Sequence, residues 1–125
     1  MRRRTFLVGS ATALLASGAE SNKEQAQAAT GEVNALATLR VRAGKEAEVE
    51  AILRDSQAAT LANDKGCLRF EWYRASTPRT YISVQRWSDQ AAAQDHLNAP
   101  HVVNTVAKLL PLVLENPQAV LLTKL

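Results

Sequence analysis

Aromatic side chains are scarce, two each of Phe, Trp and Tyr in 125 residues, which is too few for a surface on which successive nucleobases stack. One cysteine, Cys67, excludes an intrachain disulfide and leaves no acylation site near the N-terminus. No apolar run reaches the roughly 20 residues that cross a bilayer. Clustered charge is also missing from most of the chain. Of 15 basic and 12 acidic residues, four and two fall within the first 28 positions, which leaves 11 and 10 beyond them. The net charge of +3 is therefore mostly N-terminal, and without a Lys/Arg patch in the remainder no nucleic-acid partner is expected.

What is present divides the chain in two. Met1-Arg2-Arg3-Arg4 precedes a short run of mostly small apolar residues from Thr5 to Ala19, the layout of an export signal. Arg3-Arg4-Thr5-Phe6-Leu7 is similar to the core of a twin-arginine signal. Ala26-Gln27-Ala28 offers a small-x-small cleavage site, and Ala16-Ser17-Gly18 a second. Residues 1–28 are thus predicted to be a twin-arginine signal peptide and residues 29–125 a mature domain, periplasmic or secreted, with no stable membrane association after export.

In the mature part, Val33 to Val41 alternates in part and reads as a strand. Lys45 to Ala62 places Val49, Ile52, Leu53, Ser56 and Thr60 at helical spacing behind Glu46, Glu48 and Glu50, acidic groups that suit a helix start. Asn63-Asp64-Lys65-Gly66 stops that helix. Cys67 to Arg74 alternates, with Leu68, Phe70 and Trp72 on one side and Arg69, Glu71 and Tyr73 on the other. A turn at Ser76-Thr77-Pro78-Arg79 joins it to a third strand, Thr80 to Trp87. Ser88 is the expected N-cap of a helix reaching Leu97. Pro100 interrupts it, His101 to Leu110 resumes helical spacing, and Val120 to Lys124 is a last strand. The order β-α-β-β-α-β predicts an α+β, ferredoxin-like fold.

Three strings carry a further resemblance. Gly66-Cys67-Leu68-Arg69-Phe70-Glu71, Arg86-Trp87-Ser88-Asp89 and Asp95-His96-Leu97-Asn98-Ala99-Pro100-His101 resemble, in order and spacing, the antibiotic biosynthesis monooxygenase domain, above all its small quinol monooxygenase-like members. The resemblance implies a homodimer whose two sheets make a dimeric α+β barrel, with a pocket between sheet and helices in each subunit. It also implies oxidation of a small phenol or quinol by dioxygen, with no flavin or metal cofactor. Gln85 stands where such members usually carry Glu, and an amide cannot take up a proton, although it can orient a hydroxyl. Small haem-degrading enzymes share the fold, but their Asn, Trp and His positions correspond here to Ala37, His96 and Val106, so haem breakdown by that route is not expected.

His96 titrates near neutrality and is the candidate base for a phenolic proton; the alternative is a helix-end His that caps carbonyls or packs at an interface. His101, after Pro100, suits solvent-exposed capping. The two lie five residues apart across a proline, a spacing that does not share one helix face, and no carboxylate or cysteine stands at ligand spacing, so no metal is expected. Trp87 is either a platform for a flat ring or a core residue at the strand end. Tyr81, Gln85 and Trp87 share parity in the third strand. Asn34 is either a substrate hydrogen-bonder or a solvent-facing residue. Cys67 reads as a buried thiol, and Phe70 and Trp72 as core or dimer interface and not pocket. The expected site is therefore His96 as base with Trp87, Tyr81, Gln85 and Asn34 around a small aromatic. The rival expectations are a non-catalytic dimeric module that sequesters such a ligand, and an interaction protein without chemistry.

Overall fold

The computed structural model describes residues 31–125; the leader, its arginine pair and both cleavage sites lie outside the described residues. The described chain forms strands β1 (Val33–Arg40), β2 (Cys67–Arg74), β3 (Thr80–Trp87) and β4 (Gln118–Leu122). Its helices are α1 (Glu46–Asn63), α2 (Gln90–Asn98) and α3 (Pro100–Leu109), followed by a 3-10 turn at Leu110–Leu112. The strands make one antiparallel sheet in the order β2-β3-β1-β4. This is the expected ferredoxin-like α+β fold.

Strand register decides which side chains meet the helices. Val33 pairs with Trp87, Ala35 with Gln85 and Leu39 with Tyr81. Because successive strand residues point to opposite faces, these residues and Ser83 share the helix-covered face, where all are buried. Two apolar clusters form beneath the helices. One gathers Leu39, Val41, Val49, Leu53, Tyr81, Leu109, Leu112 and Val113; the other gathers Val33, Phe70, Trp87 and Ala93; Trp72 packs against both. Between them the sheet carries small or polar residues, Ala35, Ser83 and Gln85, and α1 contributes buried Ser56 and Thr60. The fold thus sets a polar strip inside an apolar interior.

Three local expectations change. Asp89, not Ser88, caps α2, its carboxylate accepting the Ala92 N–H at 2.8 Å. The β2–β3 register shifts between Cys67 and Arg69, so Leu68 is thrown out to solvent instead of joining Phe70 and Trp72. The last strand starts two residues before Val120, at Gln118. Gly66 permits a close approach: a Cβ there would run into the Ala92 side chain and lie 2.7 Å from Ser88 Oγ. That absence lets the α1–β2 turn press against the start of α2.

Candidate active site

The break at Pro100 builds the most polar part of the interior. Ala99 takes extended backbone, because a following proline disfavours the helical conformation, and the chain re-enters helix with Pro100 in the first turn of α3. His96, in the last turn of α2, and His101, at the start of α3, are thereby turned onto one group. Asp64, the residue that ends α1, meets His96 Nδ1 with one oxygen at 2.6 Å and His101 Nε2 with the other at 2.8 Å. Spacing along an uninterrupted helix would hold the two rings apart; the kink brings their centroids to 5.8 Å, and the carboxylate arrives from a third element.

An ionised carboxylate only accepts hydrogen bonds, so each ring presents an N–H to it, Nδ1–H from His96 and Nε2–H from His101. His96 Nε2 is then left as the basic nitrogen. Burial pulls His96 below the ordinary histidine value against the opposing effect of Asp64, so the ring is neutral at neutral pH. Burial pushes Asp64 upward, but the hydrogen bonds from His101 and His96 outweigh it and hold the carboxyl below its usual range. The His96 ring lies 4.6 Å from that of Trp87 and 5.1 Å from that of Phe70.

A second chain of bonds runs along β3. Trp87 Nε1–H donates to Gln85 Oε1 at 3.1 Å, and Gln85 Nε2–H donates to Ser83 Oγ at 2.8 Å, all within the interior. An indole can only donate, which fixes the orientation of the amide. The Gln85 amide therefore organises Trp87 and Ser83.

Of the expected site residues, His96, Trp87 and Gln85 come together. Tyr81 is six residues from Trp87 on the same strand, about 20 Å away, and its hydroxyl donates to Glu50 Oε2 at 2.7 Å. Asn34 lies on the other face of the sheet, opposite Arg86 and Leu122. His101 is turned inward to Asp64 instead of capping in solvent. Cys67, expected as a buried thiol, is only half-buried at the edge of the second cluster; burial, followed by the charge of Asp64, pushes its thiol up. Asp64 itself is legible in the sequence only as part of a helix stop. Also unforeseen are Thr60 Oγ1 and Trp72 Nε1, buried atoms without a hydrogen-bond partner among the described residues. No local pattern marks them, since an orphaned donor exists only once the interior is assembled.

Residues 33–108 match the family model of antibiotic biosynthesis monooxygenase. The chain belongs to that family. The antibiotic biosynthesis monooxygenase assignment places it among monooxygenases at the level of the family. No curated protein matches the chain. Solved structures share the fold. A candidate antibiotic biosynthesis monooxygenase from Caulobacter crescentus is 24% identical with a TM-score of 0.73, the match covering 82% of this chain and 98% of that one. SnoaB from Streptomyces nogalater, a cofactor-independent oxygenase, is 23% identical with a TM-score of 0.64, over 74% and 92% of the two chains. A Mycobacterium tuberculosis protein is 20% identical with a TM-score of 0.70, over 76% and 96%.

Proposed function

We propose that this protein is a cofactor-independent monooxygenase that oxidises a small phenol or quinol with dioxygen, with His96 as the base. The observation that carries the reading is the bond from His96 Nδ1 to Asp64, which leaves Nε2 free to accept a proton in an interior lined by Trp87 and Phe70. Nε2 takes the phenolic proton, and Asp64 stabilises the resulting imidazolium. The phenolate gives an electron to dioxygen, a C–O bond forms at a free ring carbon, and loss of water leaves a quinone. One oxygen atom enters the ring and the other leaves as water. Thr60 Oγ1 and Trp72 Nε1 are buried without a partner among the described residues, and a polar group of a ligand that reached them would satisfy them. SnoaB, a cofactor-independent oxygenase that shares the fold, agrees with this reading.

In this proposal the active species is an exported homodimer. The face of the sheet away from the helices carries Leu36, Ile82 and Val84 with exposed Tyr73, Val120 and Leu122, an apolar area that a second copy would cover. The leader directs the chain through the twin-arginine route, so Lys at Arg3 and Arg4 should stop export of a reporter fused to residues 1–35. Oxygen uptake by metal-free, flavin-free protein on a panel of hydroquinones and polyphenols tests the chemistry. Uptake that falls with His96→Ala supports it. Tight ligand binding with no uptake above background replaces it with the sequestering module.

A further inference from the structure

We propose that Asp64, His96 and His101 also form a binding site for a divalent transition-metal ion such as Zn2+, and that an ion there converts His96 Nε2 from a proton acceptor into a donor. One carboxylate and two imidazoles offer donor atoms that all lie within 4.8 Å of one another, from the α1–β2 turn, α2 and α3. Two neutral imidazoles with one carboxylate suit Zn2+ and its first-row neighbours, and three protein donors leave a position for water. Ligands held about 2.0–2.2 Å from an ion stand roughly 3–3.5 Å apart, against 2.6 and 2.8 Å between the present partners. Asp64 must therefore part from each imidazole by roughly half an ångström, while donor atoms now as far apart as 4.8 Å must close toward that spacing. The side chains of His96 and Asp64 are 7% and 11% exposed and that of His101 19%, which makes the His101 side the way in.

Tautomers link the ion to the base. A metal takes the lone pair of a ring nitrogen, so Nδ1 of His96 and Nε2 of His101 must give up the protons they now direct at Asp64. Each ring stays neutral by carrying its one proton on the other nitrogen. On His96 that nitrogen is Nε2, which then has no lone pair for a substrate proton. On His101 it is Nδ1, which is buried with no partner among the described residues. A ligating His without an outer acceptor weakens metal binding about 10–100-fold, so micromolar affinity is expected. The site stands apart from the oxygenase reading; only its inhibitory consequence rests on that reading.

Zn2+ is titrated into the metal-free full chain by calorimetry, and histidine side-chain 1H–15N spectra are recorded at each end. The expected result is one ion per chain, with the His96 proton moving from Nδ1 to Nε2. Asp64→Asn and His101→Gln should each weaken binding at least about tenfold. No uptake in the micromolar range, or uptake indifferent to both substitutions, overturns the site; if Asp64→Asn does not fold, the partly exposed His101→Gln and the parent spectra decide. A bound state that keeps His96 Nδ1 protonated overturns the tautomer shift. Oxygen uptake should fall with occupancy and return with a chelator, whereas uptake unaffected by bound Zn2+ overturns the inhibition. Absence of uptake with and without the ion counts against the oxygenase alone.

Discussion

His96 and His101 stand on either side of Pro100 and share the two oxygens of Asp64 at 2.6 and 2.8 Å. An amide in place of that carboxylate can accept from only one of the two ring N–H groups and turns its NH2 on the other. Asp64→Asn is expected to lower stability by about 1–3 kcal/mol, the usual penalty for unsatisfied buried partners. Denaturant unfolding measures it, and a double-mutant cycle with His96→Gln should show coupling between the two sites. Additive effects would mean that the bond contributes nothing.

Gln85→Glu restores the residue usual in the resembling quinol monooxygenase-like members and puts a carboxyl beside Trp87 Nε1 and Ser83 Oγ. Burial raises the pKa of such a group in the folded state above its unfolded value. The variant should therefore match the parent below the unfolded carboxyl pKa and lose stability as pH rises through the folded one. Thermal melts at pH 5 and pH 8 separate this from a pH-independent packing defect.

Glu50 gives the opposite sign. The hydrogen bond from Tyr81, then that from Arg74, holds its carboxyl below the ordinary value of 4.5. The stability it contributes is present above that value and is lost as pH falls below it. Glu50→Gln should flatten the acid limb of a stability profile while changing little at pH 7 beyond a constant offset. An unchanged acid limb would remove Glu50 as its source.

At Gly66 any side chain meets Ala92 and Ser88. Gly66→Ala should cost about 1–3 kcal/mol, as overpacking commonly does, and should shift the histidine resonances, because the same close approach delivers Asp64 to His96. A variant as stable as the parent would show that the turn relaxes freely.

Ile82 lies at the middle of the sheet face away from the helices, opposite Thr38 and Tyr73. Ile82→Glu should yield a monomer by sedimentation with circular dichroism unchanged, provided the parent is a dimer through that face. A parent that sediments as a monomer at micromolar concentration ends the dimer proposal.

The sequence by itself determined the element order, the alternation of β3 that buries Tyr81, Ser83, Gln85 and Trp87, and the α1 stripe of Val49, Leu53, Ser56 and Thr60, because periods of 2.0 and 3.6 are local properties of a chain. Its family strings led to His96 and Trp87, the departure from the family's usual Glu led to Gln85, and these three do meet. Tertiary structure decided the rest. Tyr81 shares a face with Trp87 but not its surroundings, since parity fixes the side of a strand and says nothing of distance along it. Asn34 fell on the opposite face because register with β3, a long-range pairing, set its phase. The histidines converged because a proline kink sums two helix directions that spacing rules treat as one. Asp64 joined them from 32 residues upstream, through a turn that Gly66 allows to close on α2, a contact that no local pattern encodes.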